Sequence, residues 1–474
     1  MTDLPLCVDL DGTLVRGDTL VEGMLTLAGS ARLGVLLGAM ASGRARLKAR
    51  VAELAPPDPA LLPYNEALVD WLSAQRAAGR RLVLATAANA HVAEAIAAHL
   101  GLFDEVLASS DSHNLKGPAK AAALVERFGE RGFAYAGDAR ADLAVWARAG
   151  AAVLVDVAPS VAAQVTAPIE HRIATRPPLL RTLLRAMRPH QWVKNLLVFV
   201  PILTANALDD VASWQGGMLA FVAFCAVASG IYMVNDLLDL AADRAHPVKR
   251  RRPFAAGDAP AVAGIVLGIS LFVFGATVAA WGEILFVVVT YGIISVAYSV
   301  WLKRQPLVDV FALAGLFTIR VFGGGEASGH ALSLWLLAFA SFLFLSLALI
   351  KRVAEILEAA ERRQRRRVPG RDYGLEDIGI LQAFGVAAAF SATLVLALYV
   401  QAEASSGRFA APGLLWAMVP LVLLWSCRMW LSTARGYMLH DPILYAARDR
   451  VTWAITVAVI GLMLAAHWGL PGSD

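Results

Sequence analysis

The sequence predicts a chain of two parts: an α/β domain with a parallel sheet, then an all-α polytopic membrane domain of about nine helices. Three observations predict it. Of 474 residues, 58% are hydrophobic and 17% charged, with mean hydropathy +0.59. Soluble chains carry about 25% charge, so the surplus of apolar side chains points to lipid rather than water. Strand-like and amphipathic helical runs alternate up to about residue 157, whereas apolar stretches of spanning length follow from Trp192 onward. Charge divides with them. Residues 1–165 hold 15 basic and 18 acidic side chains, and the remainder 27 basic and 20 acidic. That split suggests an acidic soluble domain joined to a basic membrane domain. The composition argues against an ordinary soluble enzyme and against a disordered or fibrous chain.

In the first part, Leu4–Leu10, Arg81–Thr86, Ala134–Gly137 and Ala151–Val155 are short apolar runs bounded by Gly, Asp or Pro. Residues 67–78 and 91–100 between them are amphipathic. This alternation predicts strands of a parallel sheet with helical crossovers, over residues 1–157. Met1-Thr2-Asp3 leads into the first run without the basic-then-apolar pattern of a signal peptide, so the domain is expected in the cytoplasm. Cys7, Cys225 and Cys427 lie far apart, form no CxxC pair and read as small core residues.

Residues 158–190 contain five prolines and no strand pattern, and read as a linker. Within it, Leu179, Leu180, Leu183, Leu184 and Met187 share a helical face opposite Arg181, Arg185 and Arg188. Such a helix either lies in the cytoplasmic interface or packs on one of the domains. Residues 191–474 form the membrane part. Its apolar stretches are 192–208, 214–234, 260–281, 283–301, 306–322, 331–350, 380–401, 412–431 and 452–469. With a cytoplasmic N-terminus, the loops after even-numbered spans hold Arg244, Lys249–Arg252, Lys303, Arg304, Lys351, Arg352, Arg362, Arg363, Arg365–Arg367, Arg371, Arg428, Arg435, Arg448 and Arg450. The opposite loops hold Arg408. The bias follows the positive-inside rule and places the C-terminus on the far side.

Two constellations carry chemistry. Asp9 and Asp11, at the end of the first strand, share a face. There, two carboxylates can share a hard cation and divide nucleophilic and acid/base roles, while Gly12 permits a tight turn. A later strand ends in Thr86, Lys116 follows, and another strand runs into Gly137-Asp138 with Asp142 four residues on. The order DxDGT, Thr, Lys, GDxxxD resembles the haloacid dehalogenase superfamily over roughly residues 4–157. The resemblance implies Asp9 as a nucleophile forming an aspartyl-phosphate and Asp11 as general acid/base. It implies Thr86 and Lys116 (with Lys120 as the alternative) on the phosphoryl oxygens, and Asp138 and Asp142 completing a Mg²⁺ site with Asp9 and Asp11. Residues 14–80 are long enough for a small helical cap. The basic residues there, Arg44, Arg46, Lys48 and Arg50, read as a solvated helix face rather than a substrate clamp.

The second constellation is Asn235-Asp236-Leu237-Leu238-Asp239, followed by Asp243 and Arg244 at the end of the second span. Asp236, Asp239 and Asp243 lie on one helical face. Three like charges beside a span call for a cation, and a diphosphate with Mg²⁺ suits them. The pattern NDxxDxxxD resembles the UbiA superfamily of intramembrane prenyltransferases, over about residues 186–470. Arg188-Pro189-His190-Gln191-Trp192-Val193-Lys194-Asn195 and Asp243 to Pro253 look like the subgroup of decaprenyl-phosphate phosphoribosyltransferases. So do Tyr298-Ser299 with Leu302-Lys303 and Asp309, and Lys351-Arg352 with Ala354-Glu355. Ordinary members carry a second DxxxD motif; here position 313, four after Asp309, is Leu.

The subgroup's reaction moves 5-phosphoribosyl from phosphoribosyl pyrophosphate (PRPP) to a polyprenyl phosphate and releases pyrophosphate. The resemblance implies Mg²⁺ and pyrophosphate on Asp236, Asp239 and Asp243. It implies substrate contacts from Lys194, Asn195, Asn235, Arg244, Lys249, Arg250, Arg252, Tyr298, Lys303, Asp309, Lys351 and Arg352. The first domain would then remove the 5-phosphate from the lipid product. The alternative is an aromatic prenyltransferase using a prenyl diphosphate, fused to an unrelated phosphatase. Expected partners are PRPP, polyprenyl phosphate and the bilayer, with no nucleic acid.

Overall fold

A computed structural model of the chain describes residues 4–29, 34, 44–110, 114–363, 371–404, 407, 409–438 and 442–469. Arg365–Arg367, Arg408 and the side chains of Arg44, Arg46, Arg362 and Arg363 lie outside the described residues. Met1–Arg188 and Tyr232–Ile269 form one compact unit, and Pro189–Ile231 with Ser270–Asp474 form the other.

The first unit is built on six parallel strands: β1 (Leu6–Val8), β2 (Leu82–Asn89), β3 (Glu105–Ser109), β4 (Ala134–Gly137), β5 (Ala151–Val155) and β6 (Ile169–Ile173). Their order is β3-β2-β1-β4-β5-β6. Parallel neighbours require helical crossovers, which cover both faces. Hence β1, β4 and β5 are buried at every residue and read as continuous apolar runs. The strand order reverses between β1 and β4, the place where open α/β sheets bind ligands beyond the strand carboxyl ends. Asp9 follows β1 and Asp138 follows β4, so the sheet alone sets these carboxylates side by side.

All four strand-like runs are strands, and residues 67–78 and 91–100 are helical as expected. β3 and β6 were not expected. β6 lies in the stretch read as a linker without strand pattern, and pairs in parallel with β5. Its alternation is masked because it is an edge strand, Ile-Glu-His-Arg-Ile, with polar side chains in contacts of their own. Glu170 pairs with Arg80 at 2.5 Å, and His171 stacks on Trp71 at 4.8 Å.

Helices α1 (Thr19–Ala28) and α2 (Arg44–Leu54) lie between β1 and β2 in sequence and pack on each other through Leu27, Val51 and Ala55. They are the expected small cap. Asp18 caps α1, accepting from the Leu20 and Val21 N–H groups. Helices α3 (Glu66–Ala77), α4 (Ala90–Leu100) and α5 (Pro118–Phe128) cover the sheet. The helix foreseen near residue 180 is α6 (Leu179–Ala186); it leaves Leu180 73% exposed and Leu184 48% exposed. An uncovered leucine face opposite arginines suits a membrane surface.

Among the described residues, seven helices are long and apolar enough to cross a membrane: Val211–Leu238, Ala261–Trp281, Val308–Ser328, Leu334–Ala360, Leu375–Ala404, Pro412–Ala434 and Arg450–Trp468. Leu285–Val300 is a shorter apolar helix. We name the four that bear on the sites α7 (Val211–Leu238), α9 (Ala261–Trp281), α10 (Leu285–Val300) and α11 (Val308–Ser328). α8 (Leu240–Arg244) is the short turn between α7 and α9. The stretch 192–208 is not a span: it is a 3₁₀ run, Pro189–Phe199, and a short helix, Val200–Thr204. Pro201 cannot donate to an α-helical ladder, and Lys194 and Asn195 turn inward and are buried. Inward-facing polar side chains there serve the interior of the second unit, not lipid.

Candidate active sites

The first site forms where β1 and β4 end. The Asp9 Oδ1 atom accepts from the Leu10 N–H at 2.8 Å and faces Lys120 Nζ at 2.9 Å. Lys120 also donates to the Tyr135 hydroxyl at 2.8 Å, which donates to Asp142 at 2.9 Å. Asp142 accepts from the Asp138 and Ala139 N–H groups, and Thr13 donates to Asp138 at 3.1 Å. Gly12, at φ +84°, brings the loop so close that a Cβ there would lie 2.3 Å from Asp138 Oδ2. Only glycine permits this approach.

Asp9, Asp138 and Asp142 offer oxygens within 4.8 Å of one another. Hard oxygen donors on three elements fit Mg²⁺. Asp11 stands outside that group: its carboxylate accepts from the Thr19 N–H at 2.8 Å, at the start of α1. The expectation that the Asp11 carboxylate joins the metal set is therefore corrected. Burial, then Asp18, pushes Asp11 up to about 7, and burial, then Asp142, pushes Asp138 up to about 7. Burial likewise raises Asp9, against the opposing pull of Lys120.

The lysine that meets Asp9 is Lys120 rather than Lys116. Lys120 is 4% exposed, on the α5 face that carries buried Ala121 and Leu124. Lys116 is exposed and lines the cavity in front of the carboxylates. Thr86 is buried, and its hydroxyl accepts from the Ala88 N–H; Ala87, Ala88 and Asn89 line the cavity in its place. Lys48 is no mere solvated residue: it reaches from α2 to the Ala87 carbonyl at 2.8 Å and Asn114 at 3.0 Å. Arg50 pairs with Glu53 on the exposed face. Arg176, just past β6, donates to the carbonyls of Gly12 and Arg16 at 3.0 Å each. The segment after β6 thus closes over the aspartate loop.

A carboxyl whose folded pKa exceeds its unfolded 3.8 adds stability below that value and loses it as pH rises through the folded value. Asp11 and Asp138 therefore weaken the metal-free protein between about pH 4 and 7. A Mg²⁺ held by Asp9, Asp138 and Asp142 would reverse the Asp138 part of this by keeping that carboxylate ionised. Mg²⁺ is expected to raise the melting temperature more at pH 8 than at pH 6, and Asp138→Asn to remove most of the shift. Equal shifts at both pH values would refute this account.

The second site centres on the end of α7. The helix breaks for one residue at Asp239, yet the Asp239 and Asp243 N–H groups still bond four residues back. Asp236 and Asp243 are buried and joined by one guanidinium: Arg252 Nη1 lies 3.0 Å from Asp236 Oδ1 and 2.7 Å from Asp243 Oδ2. Arg188 also pairs with Asp236 Oδ1. Among the described residues, Asp236 Oδ2 is buried without a hydrogen-bond partner. A buried carboxylate oxygen left in that state fits a cation. Asn235 and Asp239 are half-buried at the same helix end, and Lys249 and Arg250 are exposed on a 3₁₀ turn. Arg244 is used otherwise than expected. Its two Nη atoms each lie 2.7 Å from a carboxylate oxygen of Glu22 on α1, and its Nε donates to Ala255.

In the second unit, Asp309 and Arg352 were expected at substrate. They are fully buried and paired at 2.8 Å. Asp309 further accepts from the Tyr373 hydroxyl at 2.6 Å and faces Arg371 at 3.3 Å, while Arg352 also meets Glu355. Charges that neutralise one another in the interior form a structural network. Tyr298 accepts from Arg371 at 3.2 Å. Asn195 accepts from Arg320 Nε at 2.7 Å and donates to Cys225. Arg320 carried no recognisable motif, and only a charge inside an apolar helix, α11, signalled it. Lys303 and Lys351 are half-buried. Lys194 lies 5.9 Å from the Phe317 ring centre and, among the described residues, is the only charged side chain lining a cavity of about 390 Å³. The other walls of that cavity include Leu197, Val321, Phe339, Leu343 and Trp425.

Residues 196–437 match the family model described as the UbiA prenyltransferase family, and residues 6–146 that of haloacid dehalogenase-like hydrolases. The uncharacterized protein y4nM of Sinorhizobium fredii is 35% identical over 98% of this chain and 91% of its own length. A decaprenyl-phosphate phosphoribosyltransferase of Mycolicibacterium smegmatis is 40% identical over 39% of this chain and 59% of its own. A solved UbiA homologue from Archaeoglobus fulgidus, bound to GPP and Mg²⁺, has 16% identity and a TM-score of 0.47, covering 60% of this chain and 99% of that one.

Proposed function

We propose, for a chain that belongs to the UbiA prenyltransferase family and carries a haloacid dehalogenase-like domain at its N-terminus, two successive reactions at the cytoplasmic membrane face. The first transfers 5-phosphoribosyl from PRPP to a polyprenyl phosphate. The second removes the 5-phosphate to leave polyprenyl phosphoryl ribose. The observation that carries the choice of donor is the state of Asp309. Its carboxylate is taken up by Arg352, Tyr373 and Arg371, and position 313 is Leu. One acidic cluster, rather than two facing a prenyl diphosphate, suits a water-soluble diphosphate donor. The 40% identity to a decaprenyl-phosphate phosphoribosyltransferase supports the same choice.

In this reading Asp236, Asp239 and Asp243 would hold Mg²⁺, and the ion would supply charge neutralisation for a pyrophosphate leaving group. The C1–O bond of PRPP breaks with oxocarbenium character, and a lipid phosphate oxygen forms the new bond to C1. Positioning and charge neutralisation do most of the work. Lys194 is the candidate for a lipid phosphate, and the apolar cavity it lines suits isoprenoid units.

In the N-terminal domain, Asp9, Asp138 and Asp142 would hold Mg²⁺, which would supply charge to offset the phosphoryl group. An Asp9 oxygen attacks phosphorus as the bond to the ribose 5-oxygen breaks, and Asp11 gives that oxygen its proton. Water then attacks the aspartyl-phosphate, Asp11 takes its proton, and orthophosphate leaves. An Asp11 pKa pushed up to about 7 suits both proton transfers.

Label from PRPP is expected to enter the lipid in membranes containing the protein, and label from a prenyl diphosphate is not. Asp239→Ala is expected to reduce transfer about a hundredfold or more at normal expression. Incorporation from prenyl diphosphate alone would replace this reading by aromatic prenyl transfer.

A further inference from the structure

The phosphatase carboxylates open into a cavity of about 700 Å³. One of its walls comes from the cap, where Leu20, Val21 and Met24 of α1 face Leu47 and Val51 of α2. Another is unusual for a soluble phosphatase. Pro260, Ala261 and Val262 line the same cavity, and Ala261 is the first residue of α9, a helix of spanning length and hydropathy. The wall of the active-site cavity is thus the first turn of a membrane helix. From Val262 an apolar row continues along α9 at helical spacing: Val262, Val266 and Ile269 are 53%, 59% and 59% exposed.

This placement is built. The bidentate Glu22–Arg244 pair ties the cap to the turn leaving α7. Asp258, two residues before Pro260, is held by Arg185 at 2.8 Å and Arg16 at 3.5 Å. Gly257 sits so close to Arg16 that a Cβ would lie 2.5 Å from it. The basic side chains Arg16, Lys116 and Arg176 line the same cavity.

We infer that the N-terminal site takes its substrate as a membrane-resident lipid: a phosphate monoester whose isoprenoid tail stays in the bilayer along α9 while its head reaches Asp9. The inference rests on reading the Asp9 site as a phosphatase, and does not depend on what the second site transfers. The tail lies along Val262, Val266 and Ile269, its first units pass the Met24–Val51 wall, and the basic side chains meet the polar head. Water is the co-reactant, and the bonds made and broken are those given above for Asp9 and Asp11. Soluble sugar phosphates meet the same carboxylates but leave the apolar walls unfilled.

The test uses the full chain in phosphatidylcholine vesicles without PRPP, so that transfer is silent. Phosphate release is measured from a synthetic C20 prenyl-phosphoryl-ribose 5-phosphate in the bilayer and from ribose 5-phosphate in solution. The lipid-linked compound is expected to have a kcat/KM at least a hundredfold higher. Val262→Asp and Met24→Gln are each expected to lower the ratio of the two kcat/KM values at least tenfold. Met24 lies outside any span, so its variant decides the matter where Val262→Asp fails to insert. Equal use of both compounds overturns the inference, as does a ratio unmoved in a folded Met24→Gln protein. Lipid-selective hydrolysis by a protein that transfers nothing from PRPP leaves the inference standing and removes the transferase reading alone.

Discussion

Asp9→Asn is expected to stop the chain after its first reaction. Membranes given PRPP and polyprenyl phosphate would accumulate polyprenyl phosphoryl-5-phosphoribose, where the wild type goes on to the dephosphorylated lipid. The amide cannot attack phosphorus, and it loses its charge against Lys120, 2.9 Å away in the wild type. Loss of a nucleophile from a concerted set costs about three orders of magnitude or more. Formation of the first lipid is expected to continue, because Asp236 and Asp243 have their own cationic partners, Arg188 and Arg252. Mass resolution of the lipids separates the two products by one phosphate. If the variant yields the same dephosphorylated lipid as the wild type, the coupling of the two domains is wrong.

Asp309→Asn is expected to destabilise the second unit by about 3–5 kcal/mol, the cost of leaving a buried charge without its partner. Arg352 is fully buried and has Asp309 and Glu355 as its carboxylates. The amide would leave Arg352 and Arg371 facing a neutral group. Asp309→Leu combined with Arg352→Met is expected to recover most of the loss, since two apolar side chains remove both charges together. Thermal unfolding in detergent measures both effects. A normal melting temperature with lost transfer would instead place Asp309 at the substrate.

Much of the first site was legible because its residues end strands. Asp9, Asp11, Asp138 and Asp142 follow apolar runs whose parallel pairing is imposed by burial on both faces. The choice between Lys116 and Lys120 was not legible at that level. It depends on which face of α5 turns to the sheet, and the one available signal was a lysine beside Ala121 and Leu124 on that helix's apolar side. β6 was hidden because an edge strand with a half-polar sequence resembles a loop, and its reason for being there, Arg176 over Gly12 and Arg16, is contact rather than pattern.

Membrane character was determined by composition alone. Of the nine apolar stretches read from hydropathy, eight are apolar helices among the described residues and 192–208 is not; only a helix satisfies its own backbone in lipid. The acidic triplet at the end of α7 was likewise set by spacing. Tertiary structure decided the partners of the charges. Glu22 and Arg244 stand 222 residues apart, Asn195 and Arg320 stand 125 apart, and no local pattern joins either pair. Hydropathy is a property of each residue summed along the chain. An ion pair depends on two side chains converging in space, and so the partners of Arg244, Asn195, Asp309 and Arg352 became visible only in the fold.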